Sequence, residues 1–231
     1  MTNERRIVDF KQLSSELLAR WIKERKYLRE ETKRILFDIG CECSGEISVL
    51  YDINKAIVSK QESCIELDGS LSLIFENDKV LISYYENKAE LKKRELREVI
   101  VGMIDLLEYI LPLGSVVDLN KKYLQKHIRV ENIENIRIVI THRFLCQEDD
   151  TTYFPYAGVA YPVGMFSKDE IIHFTSSLIE KVVHKGYSDI QDEAYIYMMK
   201  QELILEKGMH SYGFSTEEEQ TKLQKRVDSN E

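Results

Sequence analysis

The cysteines and histidines are the side chains of this sequence that could bind a metal ion or perform acid–base chemistry. The four cysteines are Cys41, Cys43, Cys64 and Cys146. A structural zinc site usually takes two pairs of ligands, with two to four residues between the members of each pair. Cys41 and Cys43 form one close pair with a single residue between them, which is a poor match to this spacing. We therefore predict ordinary reduced thiols and no bound metal.

The histidines do not indicate a catalytic site either. The five are His127, His142, His173, His184 and His210, and no two of them have the His-x-x-x-His spacing. His142 and His184 fall in predicted strands and could lie near each other, although solvated polar strand positions are the simpler interpretation. The chain has no Gly-rich phosphate loop, nucleophile elbow or zincin motif. We predict a protein that is not an enzyme and uses no cofactor, with a small uncharacterised enzyme as an alternative.

Aromatic residues are the best candidates for a partner-binding surface, because they offer a large contact area at low entropic cost. Side chains alternate between the two faces of a strand, so Phe154 and Tyr156 share one face of the predicted strand. Tyr153 and Tyr161 share the other face. We expect one of these pairs to be exposed and the other to be buried. Trp21, in a predicted N-terminal helix, is a further candidate contact.

Charge and hydropathy restrict the class of protein. The formal net charge is −8, which disfavours a nucleic-acid binder that works by attraction to phosphates. Hydrophobic residues make up 43% of the 231 positions, enough for a real core. No apolar run approaches the ~20 residues of a membrane helix. The N-terminus has no secretory signal, because Asp9 and Lys11 interrupt any apolar stretch. We expect a soluble cytoplasmic protein with no membrane insertion.

The first half of the chain has helix-like and strand-like segments in turn. Apolar residues at Leu13, Leu17 and Trp21 recur with helical spacing, and they predict one long helix over residues 4–37 that stops near Gly40. Strands are predicted at residues 46–53, 64–67, 71–75 and 80–85, with an Asn-Asp hairpin turn between the last two. A second long helix is predicted from Asn87 to about residue 110, with a strongly apolar second half.

The second half contains the turn residues of a small sheet. All three prolines and four of the ten glycines lie between residues 111 and 187. Strands are predicted at residues 114–119, 136–144, 152–161 and 180–184. A helix over residues 190–207 is expected to start at the N-cap Asp189 and to end at Gly208. The highly charged residues 209–231 are predicted to be a disordered tail.

These segments predict an α+β protein. A long N-terminal helix, a small sheet and a second long helix make up an accessory region, residues 1–110. A small antiparallel β-sheet closed by a C-terminal helix follows, residues 111–208. The disordered tail completes the chain.

The turn residues of the second half follow one another in a characteristic sequence motif. Residues 111–117 read Leu-Pro-Leu-Gly-Ser-Val-Val, and residues 156–164 contain Tyr-x-Gly-x-x-Tyr-Pro-x-Gly. A closing element ends in Gly186-Tyr187-x-Asp189. The positions we assign to this structural motif are Pro112, Gly114, Gly158, Pro162, Gly164, Gly186 and Tyr187.

In order and spacing, residues 111–195 resemble an uncharacterised family of Gram-positive bacteria, domain-of-unknown-function family 4176. Val163 departs from the family pattern, which usually has an acidic residue there. The segment between the first two predicted strands of this half, residues 120–135, is also longer than the family pattern predicts. Members of the family are encoded beside LXG-type polymorphic toxins and type VII secretion components. The resemblance implies a cytoplasmic chaperone or targeting factor that binds an LXG-type toxin. An immunity protein that neutralises a cognate toxin is the main alternative.

Overall fold

The fold is α+β, as predicted. The computed structural model of the chain describes residues 10–59, 64–67, 70–120, 136–146, 150–165 and 171–230. These residues form helices and mainly antiparallel sheets. They divide into two compact units, with the division between Glu108 and Tyr109. None of the helices in the described part of the chain is long and apolar enough to cross a membrane.

The predicted single N-terminal helix is wrong, because the chain forms two helices there. Helix α1 spans Phe10–Glu24 and helix α2 spans Glu30–Cys43. Between them Leu28 is buried and Arg29 has an extended backbone. The seven-residue step from Trp21 to Leu28 fits either a continuous helix or this turn, so the spacing alone did not reveal the break.

Gly40 was also expected to end the helix, but it lies inside α2. A Cβ atom at this position would come 2.7 Å from a methyl group of Leu18. Gly40 therefore serves the close approach of α1 and α2, and α2 continues to Cys43.

The strand predicted at residues 46–53 is wrong, because residues 48–53 belong to helix α3, which spans Ser48–Val58. Leu50, Ile53 and Ile57 are buried, and their spacing of three and four residues is helical. A short apolar run such as this one is ambiguous between strand and helix until its packing is known.

Among the described residues, four strands form the sheet of the N-terminal unit, in consecutive antiparallel order. Their ranges are β1 Cys64–Leu67, β2 Leu71–Glu76, β3 Lys79–Tyr84 and β4 Asn87–Lys92. The predicted hairpin is confirmed, and Asn77 in its turn has a φ of 48°. Asn87 does not cap a helix as expected, because it begins β4. Helix α4 follows directly and spans Lys93–Leu107.

Helix α4 provides the core of the N-terminal unit. Val99, Ile100, Met103 and Ile104 are all buried. Trp21 packs on this helix at Gly102, where a Cβ atom would come 2.2 Å from the indole ring. The Arg25 guanidinium covers the ring at 3.3 Å from its centroid. The apolar half of helix α4 is therefore the surface on which the N-terminal helix packs, and Trp21 is not the exposed contact that we expected.

This packing predicts the fluorescence of Trp21, the only tryptophan of the chain. We expect a blue-shifted emission in the free protein, because the indole is buried. Gly102→Ala should displace the indole and shift the emission to the red. Gly45→Ala is the control, since a Cβ there meets nothing within 4 Å. An exposed-type emission that becomes blue-shifted only with a partner present would contradict the packing.

The described strands of the C-terminal unit form a second sheet. They are β5 Val116–Leu119, β6 Ile136–Leu145, β7 Thr152–Ala160, β8 Ile172–Phe174, β9 Ile179–His184 and β10 His210–Ser211. The order is β10-β7-β6-β5-β9, and β8 also pairs with β7. All four predicted strands of this half are confirmed. The short strands β8 and β10 were not predicted, because two or three residues carry no periodic signal.

The C-terminal helix is confirmed, and the disordered tail is corrected. Helix α5 spans Ile190–Lys200 and continues as a π-helix over Gln201–Glu206. Beyond it, Ser211 pairs with Tyr153 and Phe214 is buried. Helix α6 follows and spans Glu217–Asn230. A few buried apolar residues in a charged segment are therefore enough to anchor it to the sheet.

Gly158 shows why the motif contains a glycine within β7. A Cβ atom there would come 2.2 Å from the carbonyl oxygen of Val139 on β6. We expect Gly158→Val to lower the free energy of unfolding by about 2–4 kcal/mol, because the two strands must separate to admit the side chain. Gly45→Val should change it little, since that site is open. Equal thermal melts of the two variants would show that β6 and β7 are not in such close contact.

Candidate protein-binding surface

Two segments of the motif are hydrogen-bonded to each other in the C-terminal unit. The Ser115 hydroxyl donates a hydrogen bond to the Pro112 carbonyl oxygen (2.7 Å) and accepts one from the Gly186 N–H (3.0 Å). A Cβ atom on Gly186 would come 2.1 Å from the Leu113 carbonyl oxygen. The turn before β5 and the segment after β9, 71 residues apart at the Ser115–Gly186 bond, are thus in direct contact.

Tyr156 joins the same region to β7. Its hydroxyl oxygen accepts a hydrogen bond from the Leu111 N–H at 2.9 Å, and its ring stacks on Phe174 at 5.5 Å. Because Tyr156 is fully buried, it positions the strands and offers no surface to a partner.

Arg143 fixes α5 to the sheet. Its side chain is only 4% exposed, and its Nη2 donates to the Asp192 carboxylate at 2.5 Å. Asp192 also accepts a hydrogen bond from the Ser188 hydroxyl. The guanidinium lies 5.3 Å from the ring centroid of Tyr195. The inner side of α5 is therefore held by a charged contact.

The start of α5 is capped as the sequence predicted. The Asp189 carboxylate accepts hydrogen bonds from the N–H groups of Gln191 and Asp192 at 2.9 and 3.0 Å. Asp189 also ends the motif segment that begins at Gly186. The direction in which α5 leaves the sheet is therefore determined by the cap together with the Arg143–Asp192 ion pair.

The ion pair gives a testable energetic prediction. Arg143→Met and Asp192→Asn should each lower the free energy of unfolding by about 3 kcal/mol, because each leaves a buried charge without its partner. The double variant should lose less than the sum of the two, since it removes both charges. Denaturant melts of the four proteins measure this coupling. Additive losses would mean that the two side chains stabilise the fold independently.

Helix α5 exposes its uncharged side, whereas an ordinary amphipathic helix exposes its charged side. Its charged residues are Asp192, Glu193 and Lys200, and none of them is exposed. At 100° per residue these three fall on one side of the helix. The exposed side carries no charge, and we call it the α5 outer face: Ile190, Gln191, Ala194, Tyr195 and Met198. Ile190 is 60% exposed and Met198 is 59% exposed.

Exposed apolar side chains continue next to the start of this face. Tyr187, which is 81% exposed, precedes Ile190, and Leu113 is exposed where its carbonyl meets Gly186. Tyr109 is exposed under the Lys185 ammonium group, which lies 4.5 Å from its ring centroid. An exposed apolar patch of this kind is typical of a protein-interaction site.

The structure does not bring the predicted contact residues together. Tyr153 and Tyr156 are both buried, so the expectation that one face of the strand would be exposed is wrong for them. Phe144 covers Tyr153 at 5.9 Å and Phe174 covers Tyr156, so β7 is packed on both faces. Phe154 is half-buried and stacks on Tyr212 at 4.4 Å.

Tyr161 is the exposed member of the predicted set. It follows β7 in a turn that includes Pro162 and Gly164, and Gly164 has a φ of 79°. Val163, the departure from the family pattern, is 57% exposed in the same turn. Gly114, another motif glycine, also has a positive φ, 77°. Trp21, in the N-terminal unit, is buried on α4.

Sequence reasoning missed the α5 outer face. The available signal was the grouping of Asp192, Glu193 and Lys200 on one side of a predicted helix. An amphipathic helix normally turns such a side to water, so the pattern alone would have assigned the opposite side to the core. Only the buried side chain of Arg143 shows that the charged side faces inward.

The histidines and cysteines form no recognisable reactive site in the described part of the chain. His142 and His173 pair with Ala157 from opposite sides, while His184 lies on β9 and pairs with Val116. Burial and the neighbouring charge of His142 lower the pKa of His173. Burial raises the pKa of the Cys43 thiol to about 11, which makes it unreactive. No group of three or more potential metal ligands occurs among the residues described.

Comparison with known proteins confirms the resemblance of the C-terminal part. Residues 110–195 match the family model described as Domain of unknown function (DUF4176). The matched region contains the motif, the Arg143 anchor and the first half of α5. No curated protein and no solved structure matches the chain.

Proposed function

We propose that this protein is a non-enzymatic factor that binds an LXG-type toxin in the cytoplasm and keeps it competent for type VII secretion. Residues 110–195 match DUF4176. The resemblance to this family implies a gene encoded beside LXG-type toxins and type VII secretion components, and this genetic setting supports the proposal. The observation that carries it is the uncharged, exposed outer face of α5. Exposed apolar side chains grouped on one side of a helix are typical of a protein-interaction site, so the outer face calls for a partner.

The anchoring of α5 suits it to binding. The Asp189 cap and the Arg143–Asp192 ion pair hold the helix in place before any partner arrives. A surface that is already ordered loses little entropy on binding, which leaves more of the apolar burial as affinity. The flexible thioether of Met198 can adapt to the shape of a client.

The contact set differs from the sequence expectation. The β7 aromatics Tyr153 and Tyr156 are buried, as is Trp21 on the N-terminal helix. We therefore assign toxin contact to the α5 outer face together with Tyr187. Tyr161 is a separate exposed aromatic at the end of β7.

Deleting the gene should abolish the secretion or the accumulation of one neighbouring toxin and leave other type VII substrates unaffected. Wild-type protein should restore that toxin, and the double variant Ile190→Asp, Met198→Asp should not, because two charges would disrupt the apolar contact. Val163→Asp is the matched control at an equally exposed apolar position. Toxin levels in cells and medium are the measurement.

Two outcomes would contradict the proposal. Normal export of every toxin in the deletion strain would remove the chaperone role. If the deletion strain instead became sensitive to its own toxin while exporting it normally, the immunity role would replace it.

A further inference from the structure

We propose that the α5 outer face binds an amphipathic helix whose apolar ridge is flanked by basic side chains. This inference deepens the protein-binding role proposed above and rests on it. It concerns the chemistry and shape of the segment that the partner presents, which the family match does not describe.

The shape of the face fits a helix. Ile190, Ala194 and Met198 follow one another at four-residue steps and form a ridge about 12 Å long, at 1.5 Å per residue. Ala194, the smallest side chain of the ridge, lies at its centre and lets another helix approach closely. Tyr195 and Gln191 form its border on one side. Three turns of a partner helix would cover this ridge.

An added strand is a poorer fit. Strand β9 is the last strand of the described sheet on that side, so it is the place where an extended segment could pair. Its register with β5 shifts twice, where Val183 and Glu180 have no partner residue on β5. Such bulges bend an edge and discourage further pairing. A helix bound to the α5 outer face is therefore a better fit than a strand added to β9.

The charge around the face determines the flanks of the partner. Residues 189–207 contain five acidic side chains, Asp189, Asp192, Glu193, Glu202 and Glu206, and two basic ones, Lys200 and Lys207. Lys200 is buried and Lys207 pairs with Glu202 at 2.7 Å, whereas Glu206 is exposed. Two copies of α5 packed against each other would bring these acidic ends together, so a second copy of the chain is disfavoured. Lysine or arginine beside an apolar ridge is the complementary arrangement.

The probes are three synthetic helical peptides of about five turns, ~18 residues each. The first has a leucine ridge with lysine flanks, and the second has the same ridge with glutamate flanks. The third is a scrambled form of the first, with the same charge and no ridge. Isothermal titration calorimetry with the full chain measures the affinities. We expect the lysine-flanked peptide to bind, and the other two to bind at least tenfold more weakly.

Variants of the protein locate the binding. Met198→Asp and Ile190→Asp should each weaken the lysine-flanked peptide at least tenfold, and Val163→Asp should leave its affinity unchanged. Glu206→Gln should reduce the dependence of affinity on salt, because this exposed charge then no longer attracts the flanks. Unchanged circular dichroism spectra and thermal melts show that each variant is folded.

Several results would overturn the inference. They are absence of binding by the lysine-flanked peptide, equal binding by the scrambled peptide, and full affinity in Met198→Asp. A dimer that Met198→Asp converts to a monomer would make a second copy the occupant instead. If the peptide results hold and gene deletion leaves every toxin exported, the surface stands and the secretion role fails. If deletion blocks export and the peptide results fail, the secretion role stands and this surface is wrong.

Discussion

The buried ion pair between Arg143 and Asp192 determines what the C-terminal unit presents to solvent. A guanidinium that is almost fully buried needs a carboxylate beside it, and Asp192 on α5 supplies that carboxylate. Turning α5 over would bury apolar residues but would leave both charges without a partner, which costs more than the exposed apolar area gains. The uncharged side of the helix therefore faces outward. The proposed binding surface is thus a consequence of one electrostatic contact in the interior.

The motif residues act on this surface indirectly. Ser115 and Gly186 join the turn before β5 to the end of β9, and Tyr156 joins the same turn to β7. Together they determine where the chain leaves the sheet and where α5 begins. A pattern of glycine, proline and tyrosine residues therefore describes how the unit is assembled. The candidate contacts are neighbours of the motif, such as Ile190 and Met198, whose types the motif does not specify.

The sequence predicted much of the fold, and its errors have identifiable causes. The hairpin at Asn77, the cap at Asp189 and the strands of the second sheet follow from local rules on turns, caps and alternation. The strand predicted at residues 46–53 is a helix, because burial of Leu50 and Ile57 outweighs local preference. The break between α1 and α2 escaped prediction because seven-residue spacing continues through it. The tail after residue 209 is anchored by Phe214, a contact that composition does not reveal.

The sequence by itself determined the α+β class, most of the element types and the C-terminal family resemblance, because these depend on periodicity, turn chemistry and the order of motif residues. It did not place Trp21, which was a candidate partner contact in the sequence and is buried on α4 in the structure. Only the tertiary structure decided which side chains are exposed. Strand parity predicted one open face of β7, yet Phe144 and Phe174 close both faces. Periodicity shows that α5 has two different sides, but the direction in which each side points is set by Arg143, a residue 49 positions away from Asp192 in the chain.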